Sequence, residues 1–486
     1  MRKEEKAMPA FNDYLRQLIK QRNISISKLA RMTQIERTSL QKSLSGGDRI
    51  LPYDSLKKIT SFLQITLSEQ KKLYQYYNEL FEREDVRESR EIINDMFMEL
   101  AQMDFARKAF KQQEAQISLK EYIRKQSVFI GKSNIKPLIR IVFLEEMKKK
   151  NASIKLTVPL TEEFLGDELL YIYLYEKLNM EINHIIVFDT SNDINQINCH
   201  NLKNFKQVLS ISLASKRRYH PYYYYYYENA IEAQYMNPFP YYIVTQDCVI
   251  CLSKNCNQAM ILHSEDQVMF YNKHFEMLLK ECSSLIHYTE NPIEVLDTYD
   301  KCTDDNGFYM AMSQPCFGCF YTKEVIDQFV KKDLPFYNQL KEIAYKRFKK
   351  LCEVPQFYTF FTEEGFKRFI RTGQLDDFPE ELVKVFPREM RTYLVRRFIN
   401  AIKEGKITAG IMKEGMFPDY LSITTSSNSD IGIFTTKQFP IKNGFSSIEI
   451  KEPGLCKAFH EWLLHLPNSS DVLSMEETLE VLTKYI

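Results

Sequence analysis

The sequence predicts a multidomain chain with an all-α N-terminal domain, a helical linker and a larger α/β body. With 486 residues the chain is too long for one ordinary core, and 44% hydrophobic with 13% aromatic residues is typical of a folded protein. Apolar residues recur at helical spacing in the first quarter, after which strand and helix patterns alternate. We divide the chain into five parts: a helical domain (8–82), a linker (83–130), a first α/β half (131–290), a connector (291–350) and a second α/β half (351–486).

Two short helices that cross at a tight turn are predicted in ISISKLARMTQIERTSLQKSLSG, residues 24–46. Ser25 can cap the first helix, and Glu36 with Arg37 opens the second. Apolar side chains at helical spacing would hold the pair together: Ile24, Leu29, Ala30, Ile35, Leu40 and Leu44. A second helix on such a frame can enter the DNA major groove with its first residues facing base edges, so the segment predicts DNA binding.

Three more helices complete the domain. One precedes the pair in FNDYLRQLIKQRN, where the apolar residues share one face. Gly46 and Gly47 are expected to end the second helix of the pair, and Pro52 to open the next helix in PYDSLKKITSFLQI. The last helix is expected to begin near Ser68 in LSEQKKLYQYYNELF.

Positive charge is concentrated in this domain. Residues 10–67 carry ten Lys and Arg against four acids, a net +6, while the whole chain carries +1, which leaves −5 for the remainder. A compact basic module is what a phosphate-facing domain requires. A merely solvated surface would not need to coincide with the helix pair, so the coincidence favours double-stranded DNA as the partner.

Residues 11–82 resemble the DNA-binding domain of the Xre (lambda repressor-like) family of transcriptional regulators. The residues that carry the resemblance are Leu29, Ala30, Ile35, Leu40 and Gly46. The resemblance implies that the second helix of the pair and its surroundings contact DNA through Lys28, Arg37, Thr38, Ser39, Gln41 and Lys42. Arg37 would bridge a guanine and Gln41 an adenine, while Ser39 or Lys28 would hold phosphate.

Two positions depart from the family pattern. Gln34 stands where the turn often has Gly, and a non-Gly residue can adopt the left-handed backbone there at modest cost. Ser43 replaces a usual bulky apolar residue, which we expect to loosen the packing beneath the helix.

The linker, residues 82–126, is charged, helical in propensity and free of Gly and Pro. An apolar patch runs along it at Ile92, Ile93, Met96, Phe97, Leu100, Met103 and Phe110. One interpretation is a connector helix with one face against the body. The other is a dimer-forming linker that sets the spacing of two half-sites, since regulators of this kind commonly bind as homodimers.

The body reads as two similar α/β halves. Extended runs at YYIVTQDCVICLS, AMILH and QVMFY precede the helix HFEMLLKEC, and runs at ITAGIMK, YLSITTSS, DIGIFTT and SSIEIK precede GLCKAFHEWLLHL. This layout resembles the phospholipase D-like superfamily, an inactive version of which serves some transcriptional regulators as an effector domain. The enzymes carry His-x-Lys followed by Asp in each half, and neither half here has that motif. The resemblance therefore implies a sensing role.

A run of six tyrosines, Tyr222–Tyr227, has two interpretations. The side chains could stack on bases or form a ligand cage. We favour the alternative of a strand whose aromatic side chains alternate between the core and a packing partner.

Catalytic, metal and membrane signals are weak. The pairs Cys248/Cys251 and Cys316/Cys319 are expected to be reduced, buried thiols, and no His-Glu-x-x-His, P-loop or nucleophile-elbow motif occurs. We therefore expect no cofactor, no metal and no enzymatic activity. No run of about 18 apolar residues and no secretory signal is present, so we expect a cytoplasmic protein without membrane contact.

The sequence thus favours a sequence-specific DNA-binding transcriptional regulator that acts as a homodimer, with a body that senses an unknown small molecule or protein. The alternative is a protein-interaction or defence-type adaptor with a DNA-tethering domain. A nucleic-acid-processing enzyme is the third hypothesis, which the missing histidines disfavour.

Overall fold

The computed structural model describes residues 10–45, 51–79, 83–103, 126–160, 163–175, 180–190, 196–226, 237–289, 291–303, 306–334, 336–378, 380–426, 430–440 and 447–486. The chain divides into two compact units, Met1–Arg87 and Glu88–Ile486, which we call the head and the body. The fold class expected from the sequence, a helical head followed by an α/β body, is confirmed.

The described part of the head contains five consecutive helices: α1 (Ala10–Gln21), α2 (Ile26–Thr33), α3 (Arg37–Leu44), α4 (Tyr53–Leu63) and α5 (Leu67–Glu79). One apolar core joins them, with Leu15, Leu29, Leu40, Leu56 and Leu73 fully buried. The helices predicted from the sequence are all present, with α5 starting one residue before the expected Ser68. Gly46 and Gly47, expected to end α3, lie outside the described residues.

Helix α6 (Glu84–Gln102) leads from the head into the body. Within the body its apolar face is buried, including Ile93, Met96, Phe97 and Leu100. In the structure α6 is a connector helix with one face against the body, which was the first interpretation of the linker. Phe110 lies outside the described residues. Dimer formation by the linker stays a prediction.

The first sheet of the body contains eight strands: β1 (Val128–Ile130), β2 (Ser153–Leu156), β3 (Glu181–Asp189), β4 (Tyr219–Tyr226), β5 (Tyr241–Val244), β6 (Val249–Leu252), β7 (Gln258–Leu262) and β8 (Ser283–Ser284). β2, β3 and β4 are parallel neighbours. β5, β6 and β7 form an antiparallel meander that begins on β2, and β1 pairs with β7 at the edge. The helices of this half are α7 (Lys132–Met147), α8 (Glu163–Tyr175), α9 (Cys199–Ala214) and α10 (Glu265–Leu279).

The second sheet contains seven strands: β9 (His287–Thr289), β10 (Phe308–Met312), β11 (Phe357–Thr362), β12 (Thr408–Met412), β13 (Leu421–Thr425), β14 (Ile431–Thr435) and β15 (Ser447–Ile450). β10, β11 and β12 are parallel, the meander β13-β14-β15 begins on β10, and β9 closes the edge. Its helices are α11 (Pro292–Lys301), α12 (Lys323–Phe329), α13 (Tyr337–Glu353), α14 (Glu363–Thr372), α15 (Arg388–Lys403), α16 (Pro453–His465) and α17 (Met475–Thr483).

The two sheets repeat one topology. Read from the short edge strand, the first runs β1-β7-β6-β5-β2-β3-β4 and the second runs β9-β15-β14-β13-β10-β11-β12, with β8 added to the first alone. In each half a helix follows the meander, α10 in the first and α16 in the second. The duplication predicted from the order of elements is therefore present in the strand order, and α10 is the counterpart of α16.

Two expectations about the body are wrong. The connector at 291–350 contains β10, an interior strand of the second sheet, so the second half begins near β9. All five residues of β10 are buried, so the strand has no polar alternation to mark it. QVMFY is the start of α10 and not a strand, because Ser264 and Gln267 form a capping box that opens a helix there.

Tyr222–Tyr226 of the tyrosine run lie in β4, a strand with two different faces, and Tyr227 lies outside the described residues. Tyr222 and Tyr224 pack on the core beneath α10. Tyr223 contacts Phe188, and the hydroxyl of Tyr225 donates a hydrogen bond to the carboxylate of Glu452, which caps α16 in the other half. The alternation between the core and a packing partner explains the run without a ligand.

Candidate nucleic-acid interface

The frame of the interface is the turn between α2 and α3. The Ser25 hydroxyl accepts a hydrogen bond from the Lys28 amide at 3.2 Å and caps α2. At the other end of α2, Gln34 adopts a left-handed backbone with φ +57°, and its backbone N–H donates a hydrogen bond to the Ala30 carbonyl. This turn redirects the chain so that α3 crosses α2, and the non-Gly residue at the turn adopts the conformation expected of it.

Helix α3 presents a polar face to solvent. Leu40, Ser43 and Leu44 are buried against the head, whereas four residues on the opposite side are exposed: Arg37, Thr38, Gln41 and Lys42. Arg37 and Gln41 lie one turn apart, as do Thr38 and Lys42, so the two pairs form adjacent rows along the helix. This is the geometry needed for two or more side chains to reach neighbouring base pairs. The base contacts assigned to these residues stay predictions.

The remaining predicted contacts flank this face. Lys28 is exposed on the first turn of α2, and Ser39 is half-buried at the side of α3. Both positions suit phosphate contact better than base contact, because neither lies in the exposed rows of α3. Ser43, expected to loosen the packing, lies on the buried face of α3, and its backbone carbonyl accepts a hydrogen bond at 2.8 Å from the Asn12 side-chain amide.

One interaction within the face was not expected from the sequence. The Thr38 hydroxyl donates a hydrogen bond to the carboxylate of Glu36, the residue that precedes α3. The Thr38 hydroxyl proton is therefore already used, and its oxygen is left to accept. The i to i+2 spacing of an acid and a hydroxyl at a helix start was the signal for this pair.

The basic residues of the head differ in their availability. Arg22 is used internally, because its guanidinium pairs with Glu69 at 2.6 Å and donates to the Leu63 carbonyl at 2.7 Å. A hydrogen bond from the Thr66 amide and this pairing with Arg22 hold the pKa of Glu69 below its usual value. Arg22 thus ties α1 to the start of α5 and contributes nothing to a DNA-facing surface.

Two lysines of α4 were missed as candidate contacts. Lys57 and Lys58 are exposed and line an open groove of about 570 Å³ between the end of α2 and α4, together with Met32 and Gln34. Lys57 also lies 4.6 Å from the centre of the Tyr53 ring, which orients its ammonium group. The adjacent lysines could have been found from their position on the solvent face of the predicted helix.

The body contains one apolar cavity of note, in the second half. It measures about 50 Å³ and lies between α12, α13 and the segment that carries Leu375, Phe378 and Phe386. Its lining is apolar, and Leu375 and Phe378 also line a second pocket of about 120 Å³. The charged residues of that second pocket are Lys331, Lys384, Lys437 and Glu380. Both volumes are well below the roughly 300 Å³ of an ordinary ligand pocket, so neither cavity identifies a ligand.

The thiols and histidines of the body are in structural environments. Burial raises the pKa of Cys248 and of Cys316 to about 11, so these thiols stay protonated at neutral pH. His184 is fully buried, bonds to the Tyr219 hydroxyl and the Val158 carbonyl at 2.7 Å each, and has its pKa lowered to about 3 by burial. Among the described residues, no three His, Cys, Asp or Glu side chains are grouped to hold a metal ion.

The described helices give no membrane-crossing segment, since none of them combines the required length with the required apolar character.

Comparison with known proteins identifies the head. Residues 14–69 match the family model of the Cro/C1-type helix-turn-helix DNA-binding domain, which confirms the resemblance to lambda repressor-like regulators in that region. No curated protein sequence matches the chain. Among solved structures, the chain is similar to the phosphatidylserine synthase of Haemophilus influenzae Rd KW20, at 10% identity over 76% of this chain and 97% of that one, with a TM-score of 0.23.

Proposed function

We propose that the protein is a sequence-specific transcriptional regulator that binds double-stranded DNA as a homodimer and whose body controls that binding. The observation that carries the proposal is the exposed polar face of α3, on a frame that matches the Cro/C1-type domain. A regulator needs a reading helix that is free to enter the major groove, and the buried residues Leu40 and Leu44 fix α3 with Arg37 and Gln41 outward.

Each side chain of the face has a proposed role. Arg37 donates two hydrogen bonds to a guanine edge, and Gln41 pairs with an adenine. Thr38 lies beside Arg37 and contacts a base through its oxygen, since Glu36 holds its proton. Three other residues serve phosphate: Lys42 of the exposed face, and Lys28 and Ser39, which flank it.

Helix α6 supports a controlling role for the body because it is bonded to both halves. Toward the first half, Glu88 pairs with Lys203 at 2.8 Å and Glu99 with Lys206 at 2.6 Å. Both lysines belong to α9. These are exposed pairs, and each contributes little by itself.

Toward the second half, the contacts of α6 are buried. The Asn94 side chain accepts a hydrogen bond from the Trp462 indole at 2.7 Å and donates one to Asp471 at 3.1 Å. The Phe97 ring lies 4.8 Å from Phe417 and 5.0 Å from Trp462. A ligand that moves one half against the other would therefore move the helix that leads to the head.

We also propose that the body acts by binding and not by catalysis. The strands that would carry the enzyme motif, β5 and β13, contain no histidine. His184 has both ring nitrogens engaged and a pKa far below neutrality, so it is a poor nucleophile or base at pH 7.

The proposal is tested by selecting operators from a random DNA library with the full chain and measuring affinity by gel shift. A good base contact discriminates by about 1–3 kcal/mol, so Arg37→Ala and Gln41→Ala should each lower the preference for the selected operator by about 5- to 150-fold. Lys42→Ala should weaken all sequences alike and lower the salt slope by about 0.9.

The matched control is Gln17→Ala, an exposed residue of α1, which should leave affinity and specificity unchanged. Unchanged specificity in both the Arg37 and the Gln41 variants would reject the assignment of the face. A chain that selects no operator and instead retains a stoichiometric protein partner would favour the adaptor alternative.

A further inference from the structure

The duplicated helices α10 and α16 are covered to very different extents. In α16, five residues are buried, and Phe97 of α6 lies against Trp462 and Phe459. In α10, only Val268 and Phe275 are buried. The helix that covers α16 thus has no described counterpart over α10.

The exposed face of α10 carries large apolar side chains. The exposed fractions are 50% for Met269, 65% for Phe270 and 66% for Met277, which are high values for side chains of this size. In the first half the apolar surface continues onto the edge strand β1, where Val128 is 49% and Ile130 64% exposed.

The exposed side chains of β1 lie on the side of the first sheet that α10 covers. Val128 pairs with Met260 of β7 in antiparallel register, so the two side chains point to one face. Met260 packs with Val268 and Phe275 of α10 in one cluster, so that face is the side of α10. Val128 and α10 therefore belong to one continuous side of the half.

Charges at the two ends of this face are of opposite sign. Asp266 lies in the first turn of α10, Lys280 directly follows its last residue, and both are exposed. With Phe270, Lys273 and Met277 they form one stripe, because the spacings of three, four and seven residues return to the same side of a helix. The stripe spans about 21 Å at about 1.5 Å per residue. Among the other charges near the stripe, Glu276 on the flank pairs with Lys155 at 2.8 Å, and Glu265 and Glu281 are exposed next to its two ends.

We propose that α10 is the homodimer interface, with the two copies of the helix packed antiparallel about a two-fold axis. Asp266 and Lys280 are equidistant from Lys273, and Phe270 and Met277 share nearly the same midpoint, so the reversed helix of a second copy fits the stripe in register. Asp266 then faces the partner's Lys280, and Phe270 packs on the partner's Met277. An isologous contact requires a surface that is complementary to itself, and a stripe with an acid at one end and a base at the other meets this requirement.

Lys273 is the one member that opposes the pairing, since it lies beside the partner's Lys273 near the axis. Its long side chain can keep the ammonium in solvent, where salt screens the repulsion. The free face of a monomer with these exposed side chains is otherwise costly in water, and dimerisation removes that apolar area. The need for the dimer rests on the proposed function, because two half-sites need two heads, whereas its existence is measured without DNA.

The test is sedimentation velocity of the full chain without DNA, from about 0.1 to 50 µM. We expect a concentration-dependent monomer–dimer equilibrium for the wild type and a monomer at all concentrations for the double variant Phe270→Glu/Met277→Glu. The matched control is Met475→Glu, a residue 50% exposed on α17, which should dimerise as the wild type does. Circular dichroism and thermal melting check that each variant is folded.

A charge swap identifies the occupant as a second copy. Asp266→Lys alone and Lys280→Asp alone should each weaken the dimer about tenfold, since the two-fold axis places the changed pair twice in the interface. The two substitutions together should restore wild-type association. Restoration is expected only if Asp266 faces Lys280 of another copy.

Three results would overturn the inference: a monomeric wild type at 50 µM, a dimer that survives the double glutamate variant, or a charge swap that fails to restore association. A gel shift on the same proteins separates the two proposals. A chain that dimerises through α10 but selects no operator contradicts the proposed function alone. A wild-type chain that binds an operator, together with a double glutamate variant that still dimerises, contradicts this inference alone.

Discussion

The docking of α6 on the body can be tested by removing one ring. Phe97 is fully buried, 4.8 Å from Phe417 and 5.0 Å from Trp462, and Asn94 bonds to the same tryptophan one turn earlier. Phe97→Ala removes a buried aromatic side chain, which costs about 3–5 kcal/mol where the cavity cannot collapse. The two exposed ion pairs to α9 are worth about 1 kcal/mol each at most. They cannot offset the loss, so we expect α6 to leave the body at low denaturant.

The chain provides its own reporter for this experiment. Trp462 is the only tryptophan in the sequence, is 3% exposed, and touches α6 directly. In a urea titration, the variant's tryptophan emission should shift to the red before the far-ultraviolet circular dichroism of the body changes, whereas the wild-type signals should change together. Tyr393→Ala, at an exposed position of α15, should shift the free energy of unfolding by no more than about 0.5 kcal/mol.

A change of less than about 1 kcal/mol in the Phe97 variant, with coincident transitions, would refute the reasoning. It would mean that the ring cluster does not hold the helix. The operator affinity of the variant adds a functional measure: if the body acts on the head through α6, the affinity should no longer respond to changes in the body.

Three further predictions concern the backbone and one ion pair. Gly365→Ala would place a Cβ 1.9 Å from the Ser313 carbonyl oxygen, so the second half should lose about 3 kcal/mol or more of unfolding free energy by urea titration, and a smaller loss would contradict the close approach. Gln34→Gly relieves a left-handed backbone and should stabilise the head by about 0.5–1 kcal/mol; destabilisation in a thermal melt would count against it. Because the pKa of Glu69 is lowered, its pairing with Arg22 stabilises the head above about pH 4.5, and this contribution is lost as the pH falls further. Glu69→Gln should therefore flatten the pH dependence of the head's melting temperature. An unchanged pH profile would reject this role of the ion pair.

The head could be predicted from the sequence because its signals are local. The Ser25 cap, the left-handed turn at Gln34 and the apolar spacing of Leu29, Leu40 and Leu44 all occur within 20 residues, and the structure has each of them. Local propensity, capping and periodicity agree there, so one fold satisfies them all. The exposed rows of α3 follow from the same periodicity.

The errors arose where the decisive interaction is distant in sequence. Nothing near Arg22 indicates that Glu69, 47 residues away, removes it from the basic surface. The strand β10 could not be told from a buried helical segment, since every residue in it is buried. The cover that α6 provides on α16, which has no counterpart over α10 among the described residues, likewise depends on where α6 lies, and α6 is more than 160 residues from α10 in the sequence.

Under the two proposals, the exposed face of α10 and the docked helix α6 affect DNA binding through different quantities. An operator with two half-sites is occupied by two heads, so the second head binds at an effective concentration set by the dimer and not by the free protein. A tenfold weaker dimer, the expected effect of reversing Asp266, therefore lowers operator occupancy tenfold when the chain is mostly monomeric, with no change at α3. Undocking α6 would leave the dimer intact and remove the constraint that the docked helix places on each head. The effective concentration of the second head would then fall only for operators of one half-site spacing. Varying the distance between half-sites should thus separate the two effects. The Asp266 variant should weaken all spacings alike, and the Phe97 variant should lose the preference for one spacing. An equal response of both variants to spacing would show that control of the head does not pass through α6.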